Sequence, residues 1–164
     1  RKGIAECSIR WKQQVVAQST GEVVEVERKA RPDFFVPPCA TFPNGLILDL
    51  KAVEDASPDG FRKAAYNHGY HIQAAWYQDA LMEFYGTKGR APFLFIVAEK
   101  SYPWLVKTYA ASESFIAMGA REIAHNLPRF AECLSTNVWP GYGDSTQELD
   151  PPDWVLRKEK YREF

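Results

Sequence analysis

Two acidic residues and one lysine stand at spacings that suit the binding of a divalent cation beside a phosphate ester. Asp49 and Lys51 end an apolar run that begins at Leu46 and has the composition of a β-strand. Because side chains two positions apart on a strand lie on the same face, we expect the carboxylate and the ammonium to point the same way. Asp33 adjoins another strand-like segment and supplies a second carboxylate, a ligand that Mg²⁺ prefers. This set predicts metal-assisted hydrolysis of phosphodiester bonds.

Each residue of this set also has an ordinary structural interpretation. Asp49 could cap the end of a strand in solvent, Asp33 could form a turn after a proline, and Lys51 could be a surface lysine. We favour the metal site because the three residues occur together and in register. The main-chain carbonyl of Leu50, between the two charged residues, is then a natural third oxygen ligand.

The composition limits the class of protein. With 164 residues, 46% of them hydrophobic, the chain suits one domain with a single core, and we expect residues 1–164 to form it. The 20 basic and 21 acidic residues nearly cancel, so attraction to nucleic acid must come from a local patch or from an assembly of subunits. Three cysteines are fewer than the four thiolates that usually hold an iron–sulfur cluster, which excludes that kind of site.

The apolar runs are far shorter than the roughly 20 residues that a membrane span requires. No charged-then-apolar signal segment opens the chain. We therefore expect a cytoplasmic protein with no membrane partner. The chain begins at Arg1 without a methionine, and we expect it to be part of a longer sequence.

Hydrophobic periodicity and turn residues divide the chain into strands, helices and loops. The pattern predicts these elements in chain order: a hairpin of two strands ahead of Arg31, strands at 31–36 and 46–51, one helix from Phe61 to Tyr85, strands at 92–99 and 104–109, a helix from Ser112 to Leu134, and an irregular tail at 141–164 that ends in a short charged helix. The strand at 46–51 is strongly apolar, so we expect it at the centre of the sheet.

The first predicted helix carries two polar residues that the same site could use. Gln73 and Tyr77 are four positions apart, and residues at this spacing share one face of a helix. The alternative is an ordinary polar flank of the helix. Near the start of the chain, Glu6 could add a third acid to the metal site or simply lie in solvent, and the residues alone do not decide between the two.

The order of these motifs resembles the PD-(D/E)xK nuclease superfamily and, more narrowly, the RecE-like (exodeoxyribonuclease VIII) nuclease domains. The resemblance is carried by five segments spread over almost the whole chain: Ala5–Trp11 with Glu6, Arg31–Phe34 with Asp33, Leu48–Lys51, Tyr70–Tyr77, and Leu134–Pro140. An isolated Asp-x-Lys triplet is weak support, whereas the ordered set is specific. The resemblance implies an α/β fold with a restriction-endonuclease-like core, in which a mixed, mostly antiparallel sheet is flanked by helices.

The resemblance also implies roles for the site residues. Four groups would hold Mg²⁺, or Mn²⁺ as a substitute: Asp33, Asp49, the Leu50 carbonyl and Glu6. Lys51 would lie beside the attacking water and stabilise the charge that develops on phosphorus. Gln73 would position a group of the catalytic site, and Tyr77 would contact the substrate backbone. Family members often have glutamate at the position of Asp49, and the shorter acid keeps the same charge.

The implied function is 5′-to-3′ exonuclease digestion of linear double-stranded DNA in phage-type recombination. The implied partners are DNA ends, further copies of the chain in a ring-shaped homo-oligomer, and a RecT-like single-strand annealing protein. The family also has an upstream helical segment with a histidine, which we expect this chain to lack. Two alternatives stay open: a structure-specific or nicking endonuclease on the same core, and a DNA-binding module with a decayed site.

Overall fold

A five-stranded sheet forms the centre of the protein. The computed structural model describes residues 3–160. The elements in this range are β1 (Ile4–Ala5), β2 (Ile9–Val16), β3 (Val23–Ala30), β4 (Phe34–Val36), β5 (Leu46–Val53), α1 (Pro58–Asn67), α2 (Tyr70–Tyr85), β6 (Phe93–Glu99), β7 (Val106–Ala110), α3 (Glu113–Thr136) and α4 (Asp153–Lys160). The central sheet has the strand order β1-β4-β5-β6-β7, and β2 and β3 form a separate two-stranded ribbon.

Strand β5 occupies the centre of the sheet, as its hydrophobicity predicts. β4 pairs with β5 in antiparallel orientation, with Phe34 opposite Leu48. β6 pairs with β5 in parallel orientation, with Phe95 opposite Asp49. β1 pairs with β4 and β7 pairs with β6, both antiparallel. The expected mixed, mostly antiparallel sheet is therefore confirmed.

Alternation along β5 decides which of its side chains face the helices. Ile47, Asp49 and Val53 are buried, whereas Leu50 is 61% exposed on the opposite face. Buried side chains of β6, α1 and α2 complete this core: Phe93, Phe95, Val97, Phe61, Ala65, Ala74 and Leu81. The period of two residues therefore places Asp49 on the apolar side of the sheet, together with the helices.

The β2–β3 ribbon, predicted as a hairpin, packs against α2 through a buried arginine. Arg28 is 4% exposed, and its guanidinium carbon lies 4.7 Å from the ring centroid of Trp11 and 3.8 Å from that of Trp76. Its Nη2 donates to Asp79 Oδ2 on α2 at 3.2 Å. Burial lowers the pKa of Arg28, and the carboxylate of Asp79 opposes this shift. These contacts fix the ribbon relative to the helix that carries Gln73.

The predicted single helix over residues 61–85 is two helices, so that prediction is wrong. α1 begins earlier, at Pro58, because the side chain of Ser57 caps it by accepting a hydrogen bond from a first-turn amide at 3.2 Å. Gly69 follows α1 with a φ of +67°, the left-handed region that favours glycine, and α2 starts at Tyr70. A single glycine in a helical pattern is usually tolerated, so the pattern gave no sign of the break.

Helix α3 begins where the sequence predicts. The side chain of Ser112 accepts a hydrogen bond from the amide of Phe115 at 3.2 Å and so caps the first turn. The helix then crosses α2 and continues along the ribbon, where Ala131 packs with Val15 and Val26 in a second small core. α3 therefore connects the ribbon to the helical layer over the sheet.

The C-terminal tail is irregular over residues 141–152 and then forms α4. The two ends of the predicted domain, residues 1–2 and 161–164, lie outside the described residues. None of the helices within residues 3–160 combines the length and the apolarity that crossing a membrane requires.

Candidate active site

Asp49 is a buried carboxylate in the middle of β5. It is 1% exposed, and its Oδ1 accepts a hydrogen bond from Gln73 Nε2 at 3.2 Å. Its Oδ2 lies 2.5 Å from Lys51 Nζ in an ion pair, but no hydrogen bond of regular geometry reaches this oxygen from the described residues. Burial raises the pKa of Asp49, Lys51 opposes this shift, and the negative charge of Asp33 adds to it. The two carboxylates are therefore close enough to repel each other.

Lys51 points to the same side of β5 as Asp49, as their spacing predicts. Its Nζ donates to Gln73 Oε1 at 2.8 Å, and the centroid of the Tyr70 ring lies 4.3 Å from Nζ. Gln73 accepts from the lysine through its oxygen and donates to the aspartate through its nitrogen, so only one orientation of its amide serves both partners. Its nitrogen also donates to the hydroxyl oxygen of Tyr77 at 3.2 Å. The structure thus brings these residues into one network.

Asp33 reaches the same place from the neighbouring strand. β4 begins at Phe34, opposite Leu48, so the amide of Leu50 lies beyond the end of the β4 ladder. The carboxylate of Asp33 replaces the missing backbone acceptor, because the Leu50 amide donates to its Oδ2 at 2.8 Å. The N–H and C=O of one strand residue point toward the same neighbouring strand. The carbonyl of Leu50 therefore faces the same open edge as Asp33.

The oxygens at this edge fit a divalent cation. Two carboxylates and a carbonyl are hard ligands that leave coordination positions for water and substrate. Asp49 Oδ2 lacks a regular hydrogen bond, and a cation would relieve its repulsion by Asp33. Within residues 3–160, no cluster of three or more His, Cys, Asp or Glu side chains is placed to hold a metal ion. The side chains available to a cation here are therefore those of Asp33 and Asp49, beside the Leu50 carbonyl.

The predicted metal ligand Glu6 lies near this edge, but its carboxylate is engaged elsewhere. Its amide donates to the carbonyl of Asp33 at 3.0 Å, so the two backbones run side by side. Its carboxylate forms an ion pair with Arg31, and both side chains are 59% exposed. The structure does not group the Glu6 carboxylate with those of Asp33 and Asp49. A role for Glu6 as a ligand stays a prediction.

Tyr70 belongs to the site, although no role was predicted for it from the sequence. It is the first residue of α2, and its ring faces the ammonium of Lys51. Its positions relative to Gln73 and Tyr77, three and seven residues earlier, are those of neighbours on one helix face. This spacing is the signal that could have placed it in the site.

Comparison with known proteins gives a family and a fold. The family model described as a PDDEXK-like domain of unknown function (DUF3799) matches residues 12–150. No curated protein matches the chain. The crystal structure of a protein described as a putative exonuclease from Eubacterium rectale is similar, with a TM-score of 0.59 and 17% identity over 95% of this chain and 56% of the other. The crystal structure of SSO0001 aligns with a TM-score of 0.45 and 14% identity over 84% of this chain and 60% of the other.

These matches differ in what they cover. The chain spans 56% of the length of the Eubacterium rectale structure, and at 17% identity the similarity concerns the fold alone. The family match over residues 12–150 includes Asp33, Asp49, Lys51 and Gln73 but leaves Glu6 outside. The network around Asp49 therefore lies within the matched part of the chain.

Proposed function

Because the chain belongs to the DUF3799 family of PDDEXK-like domains, we propose that it is a divalent-metal-dependent nuclease that hydrolyses phosphodiester bonds of DNA. The main support is the meeting of Asp33 and Asp49 at one open edge of the sheet, with Lys51 paired to the second carboxylate. Burying a carboxylate costs free energy that an apolar side chain at the centre of a strand would not. A catalytic role for Asp49 explains why a carboxylate is buried here despite this cost in free energy.

Each residue of the site has a separate role in an in-line attack of water on the phosphorus. The cation would be held by Asp33, Asp49 and the Leu50 carbonyl. When bound, it supplies Lewis acidity and positive charge beside the scissile phosphate. The Lys51 ammonium places a further positive charge where negative charge develops during the attack. Gln73 holds the ammonium through its carbonyl oxygen, and the Tyr77 hydroxyl next to it is available for a contact with the DNA backbone.

The finer proposal concerns the substrate and the assembly. The protein would digest linear double-stranded DNA from its ends, 5′ to 3′, with Mg²⁺ or Mn²⁺, in phage-type recombination together with a RecT-like annealing protein. The resemblance of the motif segments to RecE-like nuclease domains supports this, and the description of the structural neighbour as a putative exonuclease supports the exonuclease activity alone. With a net charge of −1, one subunit attracts DNA little, whereas a ring-shaped homo-oligomer would place several small basic patches around a duplex.

The purified protein should digest linear duplex DNA in the presence of Mg²⁺ and leave covalently closed circles intact. Chelation with EDTA should stop digestion, and Mg²⁺ or Mn²⁺ should restore it, because the carboxylates need a cation to act on a phosphate. Release of acid-soluble nucleotides measures digestion of a linearised plasmid, and conversion of the supercoiled closed form to open circles on an agarose gel detects cutting of the closed form. Nicking or cutting of the closed circles would favour a structure-specific or nicking endonuclease. DNA binding without cleavage in either metal would indicate a decayed site.

Replacing Lys51 with methionine should lower kcat by about a hundredfold without preventing metal binding. Methionine keeps much of the side-chain length but removes the charge that faces the reacting phosphate. Steady-state digestion gives kcat, and calorimetric titration gives the metal affinity. Lys12→Met is the matched control, because Lys12 pairs with Glu25 on the ribbon. Normal turnover of Lys51→Met at saturating metal would contradict the assigned role.

A further inference from the structure

The ammonium of Lys51 is enclosed on three sides. Asp49 Oδ2 lies 2.5 Å and Gln73 Oε1 lies 2.8 Å from Nζ, and the centroid of the Tyr70 ring is 4.3 Å away. The lysine side chain is 13% exposed, so little solvent reaches it. An aromatic face attracts a cation through the ring quadrupole, most strongly where water is excluded. The ring thus covers a side of the ammonium in addition to those that the two oxygens contact.

The ring of Tyr70 is itself held by aromatic neighbours. Its centroid lies 6.2 Å from that of Phe61, 6.0 Å from that of Phe95 and 5.6 Å from that of His68. Phe95 stands opposite Asp49 in the β5–β6 ladder, so the ring packs over the same part of the sheet as the site. Tyr70 also starts α2, directly after the break from α1. The break between the helices therefore sets where this ring stands.

An additional contact such as the Tyr70 ring can hold Lys51 in one conformation, which matters because the lysine side chain is long and flexible. A lysine ammonium is a compact charge on a four-carbon stem, and its donors rotate freely. The contacts with Asp49 and Gln73 restrict the ammonium on two sides. The Tyr70 ring on the third side removes most of the conformational freedom that the side chain would otherwise keep. We propose that Tyr70 is a positioning residue for Lys51, whose ring keeps the ammonium against Asp49 and Gln73 for its task beside the phosphate. The catalytic part of this inference rests on the proposed nuclease function.

Two substitutions separate the aromatic face from the hydroxyl group of Tyr70. Tyr70→Phe keeps the face, so kcat should stay within about twofold of the wild-type value. Tyr70→Leu keeps apolar bulk but loses the quadrupole, so kcat should fall about tenfold with little change in KM for linear duplex DNA. If the leucine variant does not fold, Tyr70→Met replaces it. An equal loss in Tyr70→Phe, or a rise in KM with unchanged kcat, would overturn the proposal.

Tyr85→Leu is the matched control for lost packing. Tyr85 ends the same helix, roughly 22 Å from Tyr70 along its axis, and is likewise partly buried. Its ring packs on Phe35, with centroids 6.2 Å apart, at the end of α2 opposite to the one that contacts Lys51. The control should lose stability but keep kcat. A loss of kcat equal to that of Tyr70→Leu would assign the effect to packing on α2 and would overturn the proposal.

A measurement on the metal-free protein tests the contact without catalysis. Protons over the face of an aromatic ring are shielded, so the ε-methylene protons of Lys51 should resonate upfield of those of other lysines in a ¹³C-edited NMR spectrum. Lys51→Met identifies the signal. Tyr70→Phe should keep the upfield shift and Tyr70→Leu should remove it, whereas an unshifted wild-type signal would overturn the proposal. An upfield signal in a protein without nuclease activity would defeat the proposed function and leave the positioning of Lys51 supported.

Discussion

Replacing Asp49 with asparagine should lower turnover by about a thousandfold or more at Mg²⁺ concentrations that saturate the wild type. The substitution keeps the size of the side chain but removes one of the two carboxylate charges at the edge of β5. An amide also cannot present an oxygen to both the Lys51 ammonium and the Gln73 Nε2 donor as the carboxylate does, because one of its two ends is a donor. The change therefore damages the cation site and the placement of the lysine together.

The fold of this variant should persist, because the substitution leaves no cavity behind. Circular dichroism and urea denaturation of the metal-free protein check this, and single-turnover digestion of linear duplex measures the activity. Asp59→Asn is the matched control, since its carboxylate is 94% exposed on α1 and pairs with Arg62. Turnover of Asp49→Asn close to the wild-type value at saturating metal would remove Asp49 from the site.

The shared orientation of Asp49 and Lys51 could be predicted because alternation along a strand is a local property. Two residues of one strand separated by a single position face the same way whatever the strand pairs with. The apolar run around them also predicted the central place of β5, which the strand order confirms. The superfamily resemblance and the α/β fold that it implied are confirmed by the family match. Local pattern and ordered motifs were sufficient for this part of the protein.

The contact of Asp33 with the Leu50 amide could not be predicted, because it depends on the register between two strands. It arises where β4 starts one residue after Asp33, which leaves the Leu50 amide without a backbone partner. The sequence showed a second carboxylate but not how it meets β5. For the same reason it could not show that Glu6 would pair with Arg31 beside that strand.

The division of the predicted helix also has a cause outside local sequence. Helix propensity tolerates a glycine, and the apolar positions on both sides of Gly69 fit one continuous helix. The two shorter helices are instead stabilised by contacts with distant parts of the chain. Phe61 of α1 stacks on Tyr109 of β7 with centroids 4.9 Å apart, and the start of α2 lies directly against α3. Such contacts between elements override a local preference of this size.

Gly119→Ala should destabilise the protein by about 3 kcal/mol, although alanine is the better helix former. A β-carbon at this position of α3 would lie 1.9 Å from the carbonyl oxygen of His71 and 2.8 Å from the amide nitrogen of Ile72. Backbone atoms cannot relieve this steric clash by a change of rotamer, as the end of a side chain can, so α3 must move away from α2. His71 stands two positions before Gln73, and the same displacement should therefore lower kcat.

Ala117→Gly is the matched control on the exposed face of the same helix. Glycine there should cost only about 1 kcal/mol, through helix propensity alone. Urea denaturation of the metal-free protein gives both free energies of unfolding. The two variants exchange the same residue types in opposite directions, so propensity contributes with opposite sign to each. If both variants lose stability, helix propensity cannot explain the loss in Gly119→Ala, and the close contact between α2 and α3 is its cause. Stabilisation by Gly119→Ala would show that the helices do not approach so closely.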